Sequence, residues 1–182
     1  MNTRDVASAA ILAAFAIALT LSGLSTFIRM PPPFSYLVFD PAEIPSLIAY
    51  MAYGLKVGSL VATLHFLFLM FRGEFVPIGP LMKYTAVLST LIGLHVAYKL
   101  KFKEVTSVIF AAVLRALIMN ILNIIILMTI FREFLENLGK TLLEGLVLAL
   151  IVTAIYNVAH VSLFDYPLAK LVLLRIKIKR KS

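Results

Sequence analysis

The segment FDPAEIPSLIAYMAYGLKVGSLVATLHFLF, residues 39–68, shows the pattern that predicts the fold of the chain. It contains two apolar stretches that are separated only by the short turn GLKVG, and an acid–proline pair stands before the first of them. Apolar stretches of this kind recur on both sides of the segment, with short connections between them. Closely spaced apolar stretches predict a bundle of helices that lies in a membrane.

The composition of the 182-residue chain supports an integral membrane protein. Of its residues, 62% are hydrophobic and 14% are charged, and the mean hydropathy is +1.00. A soluble domain is about 45–50% apolar and about 25% charged. We therefore expect an all-α integral membrane protein, with room for roughly five to seven spans and none for a separate soluble domain. The sequence has no GxxxxGK[ST] loop for ATP and no cysteine for disulfide or thiolate chemistry.

Six apolar segments predict a single domain, residues 1–182, with six transmembrane helices. The last segment is too long for one straight span, and polar residues and a proline interrupt it between Tyr156 and Pro167. We expect a partly buried entry segment there, followed by a separate helix from about Val158. The predicted spans are residues 6–22, 41–53, 57–71, 81–98, 105–131 and 142–174.

The positive charges predict how the chain is oriented. With six spans, one side receives Arg4, the loop KLKFKE and the tail RIKIKRKS, whereas the basic residues of the other side are partly offset by glutamates. Because Lys and Arg collect on the cytoplasmic side, we expect a multi-pass plasma membrane protein with both termini in the cytoplasm. The tail would then contact anionic lipid headgroups. We interpret the net charge of +8 in this way, and we expect no nucleic-acid partner.

The stretch before the second span is typical of a helix start. Asp40 is a good N-cap, Pro41 suits the first helical position, and Glu43 stands where a capping-box acid reaches back. These acids either only cap the helix or also form the lip of a pocket. The preceding MPPPFSYLVF, residues 30–39, carries three aromatic residues that could pair in a small hairpin or cover a cavity as a lid.

Four segments in the same order resemble the substrate-binding S components of energy-coupling-factor (ECF) vitamin transporters, most closely the riboflavin-specific branch. They are ASAAILAAFAIALT in the first span, the segment 39–68, RALIMNILN in the fifth span and AIYNVAH in the sixth. The sequence departs from the riboflavin members at Ile155–Tyr156 (usually Pro-Phe), at His160 (usually Lys), and at Pro80 and Lys83 (often Glu and Asn). These departures leave the identity of the vitamin open.

The resemblance implies a six-helix bundle with a ligand pocket on its extracellular side. It implies that riboflavin is captured as the transported ligand, with no cofactor, and that a membrane T component and two cytoplasmic ATPases are partners. The resemblance favours docking of the T component on a small-residue face of the first span. The alternative is that this face packs against another helix of the same bundle. The face consists of Ala9, Ala10, Ala13 and Ala14.

Buried amides supply the candidate ligand-binding residues. Asn123 matches the ligand-contacting Asn of the family. Asn157 and His160 share one helix face, and an amide or imidazole can bond the ring edge of a flavin. The other candidates are Lys83, Phe39, Asp40 and Tyr36.

Three other polar residues of the spans are given structural roles. Asn120 is expected to hydrogen-bond within the bundle, and for Arg115 we favour a structural pairing over a ligand contact. Asp165 is expected to pair with Lys170 or His160.

Other functional classes are weighed against capture of riboflavin. The chain could be an S component for a different vitamin, or a stand-alone proton-coupled carrier, for which Asp165 is the only carboxylate deep in a span. A structural scaffold would not need so many buried amides. The sequence has neither a nucleophile motif nor an HExxH pair, so we expect neither an enzyme nor a metal site.

Overall fold

The computed structural model describes residues 1–176, apart from the side chains of residues 26 and 27. The predicted contact of the basic tail with lipid headgroups rests mostly on residues 177–182, which lie outside the described part. Within that part the chain is helical, which confirms the all-α prediction. The α-helices are α1 Thr3–Leu21, α2 Ile44–Tyr53, α3 Leu55–Arg72, α4 Ile78–Lys99, α5 Glu104–Thr129, α6 Arg132–Leu138, α7 Leu142–Ala159 and α8 Tyr166–Ile176.

Four helical regions are long and apolar enough to cross a membrane: α1, α3, α5 and the continuous region from Leu142 to Ile176. Helix α4 has 22 residues, but α2 has only 10. A 10-residue helix is about 15 Å long, half the thickness of the hydrocarbon core. Almost every residue of α2 is buried between other helices. The four long apolar regions are therefore established, and the six-span topology stays a prediction.

The predicted break in the sixth region lies elsewhere. Helix α7 continues through Tyr156 and Asn157, and the Asn157 side-chain Nδ2 donates to the Thr153 carbonyl of the preceding turn at 2.8 Å. The irregular part is a π-helical turn, His160–Asp165, immediately before α8. Pro167 has no N–H and its ring would clash with the carbonyl four residues earlier, so the widened turn stands where a regular helix would be strained. The expected entry segment with a separate helix from Val158 was wrong.

Helix α6 was not predicted. It lies between the predicted spans 105–131 and 142–174, in the sequence REFLENLGK, whose leucines form one apolar face, and Leu135 is fully buried. Gly145 of α7 permits this contact, because a Cβ atom there would lie only 2.0 Å from the Leu135 carbonyl oxygen. The short helix therefore packs directly on the first turns of α7.

The small residues of α1 are divided between two environments. Ala9 and Ala13 are buried and pack with Ala49 of α2 and with α3, as the alternative interpretation expected. Ala10 and Ala14 are exposed on the other side of the helix. The four alanines therefore do not form one exposed face.

Candidate functional site

The site begins at the turn before α2, where Asp40 caps the helix as predicted. Its carboxylate accepts from the Ala42 N–H at 2.9 Å, and a 3₁₀ turn, Pro41–Glu43, leads into α2. The prediction for Glu43 was wrong. Its carboxylate does not reach back to the Asp40 N–H, which donates instead to His160 Nε2 at 3.3 Å. Glu43 points into the bundle, where 4% of its side chain is exposed.

Arg115 of α5 is the centre of a buried polar cluster. Its Nη1 lies 2.7 Å from Glu43 Oε2, and its Nη2 lies 3.4 Å from Oε1, so the guanidinium spans both carboxylate oxygens. The Nε atom donates to Asn157 Oδ1 at 2.8 Å. Thr90 Oγ1 and Asp165 Oδ2 each lie 3.5 Å from Nη1. Arg115 thus has the structural pairing that the sequence favoured, and it orients the Asn157 amide.

The π-helical turn brings His160 and Asp165 to the same cluster. His160 is fully buried; its Nδ1 lies 3.0 Å from Arg115 Nη2, and its Nε2 lies 3.4 Å from Asp165 Oδ1. The predicted pairing of Asp165 with His160 is therefore confirmed as a contact. The alternative pairing of Asp165 with Lys170 was wrong, because Lys170 pairs with Glu104, the first residue of α5.

The segment before Asp40 folds as a hairpin, one of the two predicted arrangements. Arg29 and Val38 form an antiparallel bridge, and the Met30 N–H donates to the Leu37 carbonyl at 2.9 Å. The Tyr156 hydroxyl donates to the Val38 carbonyl oxygen. At the other edge, Arg29 pairs with Glu74 in the α3–α4 connection at 3.1 Å. The hairpin, residues 28–39, is thus fixed to two parts of the bundle.

Aromatic side chains of the hairpin lie against α7 and the π-helical turn. The Phe39 ring contacts three rings edge to face: those of Tyr156, His160 and Phe164, at centroid distances of 4.9, 5.2 and 5.7 Å. The Tyr36 hydroxyl lies 3.5 Å from Thr153 Oγ1. Burial raises the pKa of Tyr36 above its ordinary value of 10.0, and the contact with Thr153 acts in the opposite direction. Phe39 thus packs against the polar cluster at His160.

Lys83 of α4 completes this region. Its ammonium group pairs with the Asp40 carboxylate, and both side chains are less than a fifth exposed. Beside Lys83, a cavity of about 10 Å³ lies between α3 and α4, next to His65 and Tyr84. That volume holds about one water molecule. This cavity is far smaller than a vitamin, and the pocket predicted at the outer face stays a prediction.

Most of the predicted binding residues thus lie together. The contacts described above link five of them, namely Asn157, His160, Asp40, Phe39 and Lys83. The Tyr36 hydroxyl lies beside Thr153, which is one helical turn along α7 from Asn157.

The two asparagines of α5 lie farther along that helix. Asn123 is 5% exposed and lies two turns beyond Arg115. Asn120 was expected to hydrogen-bond within the bundle, but its side-chain Oδ1 is buried without a hydrogen-bond partner.

Sequence reasoning missed Glu43, Thr90 and Tyr156 as members of the cluster. A signal for Glu43 was present: an arginine in mid-span requires a counter-charge, and few carboxylates lie inside or next to the spans. The capping pattern around Asp40 offered a simpler explanation for Glu43 and concealed this role.

Glu43, His160 and Asp165 can each bring one possible ligand atom within 4.8 Å of the other two. Arg115 contacts all three side chains, so a metal ion placed among them would face the guanidinium at short range. We therefore assign no metal to this cluster.

Comparison with known proteins places the chain among transporters. A family model described as "ECF transporter, substrate-specific component" matches residues 4–174. The riboflavin transporter RibU of Staphylococcus aureus (strain TCH60) is 30% identical over 137 residues, which cover 67% of this chain and 70% of that protein. A solved structure of the S component of a bacterial ECF transporter is 24% identical and superimposes with a TM-score of 0.74, covering 97% of both chains.

Proposed function

The chain belongs to the substrate-specific (S) components of ECF transporters, and we propose that it binds riboflavin or a related flavin at the outer face of the plasma membrane. Membership of this family also confirms that it is a membrane transport subunit and not an enzyme. Under this proposal ATP is hydrolysed by two partner ATPases in the cytoplasm, and riboflavin is the transported ligand, not a cofactor.

The observation that carries the proposal is a buried set of amide and imidazole groups covered by aromatic rings. Asn157 and His160 are at most 2% exposed, and the Phe39 ring packs edge to face against the His160 ring. A flavin has a flat ring with carbonyl groups and ring nitrogens along one edge, so an amide can donate to one atom and accept from another. Apolar and aromatic walls with few convergent polar groups are typical of small-molecule sites. The similarity to RibU supports flavin among the possible vitamins.

Entry of a ligand as large as a flavin requires the hairpin to move, because its aromatic residues fill the space above the cluster. Phe39 already makes edge-to-face contacts with three rings. We propose that the hairpin lifts, that Phe39 leaves this position, and that the flavin ring takes its place. The amides of Asn157 and Asn123 and the imidazole of His160 then bond the ligand, with Tyr36, Asp40 and Lys83 at the lip.

Equilibrium binding to the purified protein tests the assignment. Riboflavin fluorescence is titrated with protein in detergent, and thiamine and biotin are added as competitors. The proposal expects saturable quenching at one riboflavin per chain that neither competitor reverses. Saturable binding of another vitamin, with no effect on riboflavin fluorescence, would reject the flavin and retain the family assignment.

Docking of the T component is proposed for the exposed side of α1. Ala10 and Ala14 face outward, whereas Ala13 is buried inside the bundle. Replacement of Ala14 by Leu is expected to reduce co-purification with a T component while riboflavin binding is retained. A variant that retains the T component and loses riboflavin binding would contradict this use of the surface. Both termini are placed in the cytoplasm under the same proposal.

A different vitamin is the second candidate, and His160 and Lys83 favour it because both differ from the residues usual in riboflavin members. A stand-alone proton-coupled carrier is the third candidate, which rests on the buried carboxylate of Asp165. Uptake into vesicles that contain this chain alone, driven by a proton gradient, would favour the carrier.

A further inference from the structure

The polar cluster contains more negative than positive charge. Glu43 and Asp165 are both carboxylic acids, and Arg115 is the cation that contacts them. The Asp40–Lys83 pair beside the cluster is neutral as a whole. With both acids ionised, one negative charge is left in excess among side chains that are at most 4% exposed. An uncompensated charge in such surroundings is costly, and a group of this kind takes up a proton instead.

His160 is poorly placed to supply the missing positive charge. Its Nδ1 faces Arg115 Nη2 at 3.0 Å, and its Nε2 faces the Asp40 backbone N–H at 3.3 Å. Both neighbours are hydrogen-bond donors. An imidazolium would carry a proton on each ring nitrogen, and its Nδ1 proton would point at the charged guanidinium. Its Nε2 proton would lie between the Asp40 N–H and Asp165 Oδ1. Two other titratable neighbours face the ring: Asp165 Oδ1 lies 3.4 Å from Nε2, and the Tyr156 hydroxyl, which donates to the Val38 carbonyl, lies 3.3 Å from Nδ1. The ring of His160 therefore stays neutral.

The four carboxylate oxygens of the cluster are not equivalent. Both oxygens of Glu43 face Arg115, at 2.7 and 3.4 Å. Asp165 Oδ2 lies 3.5 Å from Arg115 Nη1, but Asp165 Oδ1 is buried without a hydrogen-bond partner. A carboxylate oxygen in that position lacks the donor that burial requires. We propose that Asp165 is protonated at neutral pH, so that the cluster of Glu43, Arg115 and Asp165 is electrically neutral.

The proton removes the excess negative charge of the cluster, because a protonated carboxyl is neutral and carries one O–H donor. Glu43 remains the ionised partner of Arg115. The proposal does not depend on which vitamin the chain binds, because it concerns only the charges of the folded bundle.

Infrared difference spectroscopy of the purified protein tests the proposal. A protonated carboxylic acid has a carbonyl stretch apart from the carboxylate and amide bands, and this stretch shifts in D2O. At neutral pH, the spectrum of the wild-type protein minus that of Asp165→Asn is expected to show this band. The melting midpoint of Asp165→Asn should be unchanged, because an asparagine resembles the neutral acid in shape. Absence of the band from the difference spectrum would overturn the proposal.

A second variant, Glu43→Gln, tests independently which of the two acids carries the proton. This change removes the closest anion of Arg115, so Asp165 should ionise as the remaining counter-charge, and the band should disappear. If the band is lost in Glu43→Gln but kept in Asp165→Asn, Glu43 carries the proton and the proposal is wrong.

Binding of a sodium ion at Asp165 is tested by replacing sodium with choline at constant ionic strength. A melting midpoint that depends on sodium in the wild-type protein and not in Asp165→Asn would place a sodium ion there instead of the proton.

Discussion

Arg115 Nη1 lies 2.7 Å from Glu43 Oε2, and the two side chains are 3% and 4% exposed. The contact joins the middle of α5 to the turn that begins α2. It also fixes Asn157, because the same guanidinium donates to the Asn157 amide oxygen. One ion pair therefore connects the structural core to the residues proposed to bind the ligand.

Replacement of Arg115 by Leu is expected to destabilise the protein strongly. The change leaves Glu43 buried without its cation, and removal of one partner of a buried pair costs about 3–5 kcal/mol. The melting midpoint in detergent, followed by circular dichroism, should fall clearly, or folded protein should not be recovered.

The matched control is Arg132→Leu. Arg132 and Glu136 form an exposed pair one turn apart, with 66% and 52% of the side chains accessible, and such pairs contribute about 0–1 kcal/mol. Equal melting midpoints for Arg115→Leu and Arg132→Leu would contradict the role given to the buried pair.

Attachment of the hairpin should weaken at high pH through Tyr36. Tyr36 is only partly buried, with 41% of the residue exposed. This partial burial raises its pKa in the folded protein above 10.0, so folding favours its neutral form. The stabilisation is fully present below the unfolded pKa of about 10 and is lost as the pH rises through the folded pKa. Tyr36→Phe should therefore show a smaller decrease in melting midpoint than the wild-type protein above about pH 10. Identical alkaline profiles would show that the Tyr36 hydroxyl is not buried on α7.

The Arg29–Glu74 pair is expected to slow the movement of the hairpin. The pair is partly exposed, at 32% and 70%, so its contribution is at most about 1 kcal/mol. Arg29→Gln should increase the association and dissociation rates of riboflavin by up to about fivefold, with little change in affinity. Stopped-flow fluorescence measures both rates.

Arg72→Gln is the control for these rates, because Arg72 is an exposed arginine at the end of α3. High salt should reduce the difference between Arg29→Gln and the wild-type protein, since exposed pairs are screened. Rates that are unchanged in Arg29→Gln would show that this contact does not limit hairpin movement.

The limits of sequence reasoning are clear at particular residues. Apolar segments predicted the helices to within a few residues, because the hydrophobic stretches and the turns between them are local features. Helical spacing predicted that Asn157 and His160 share one face, and both side chains contact Arg115. The position of the Glu43 carboxylate was not predictable from spacing, because its partner lies 72 residues away. Helix α6 was missed because a seven-residue helix with three charged residues gives a weak apolar signal.

The widened turn at His160–Asp165 could not be located from sequence either. Pro167 indicates that the regular helix is disturbed near it, but the disturbance could be a break, a kink or a wider turn. The structure resolves this as a π-helical turn. It brings Asp165 back towards His160, which a regular α-helix at that spacing would not do as closely.

The visible absorption spectrum of the purified, detergent-solubilised protein tests the proposed function most directly. After incubation with riboflavin and gel filtration, the wild-type protein should elute with the absorption bands of oxidised flavin. Asn157→Ala and Asn123→Ala should elute with much less flavin, because each removes a buried amide from the site. Asn137→Ala, which changes an exposed asparagine of α6, should retain it. A colourless wild-type protein that also fails to quench riboflavin fluorescence would contradict flavin binding.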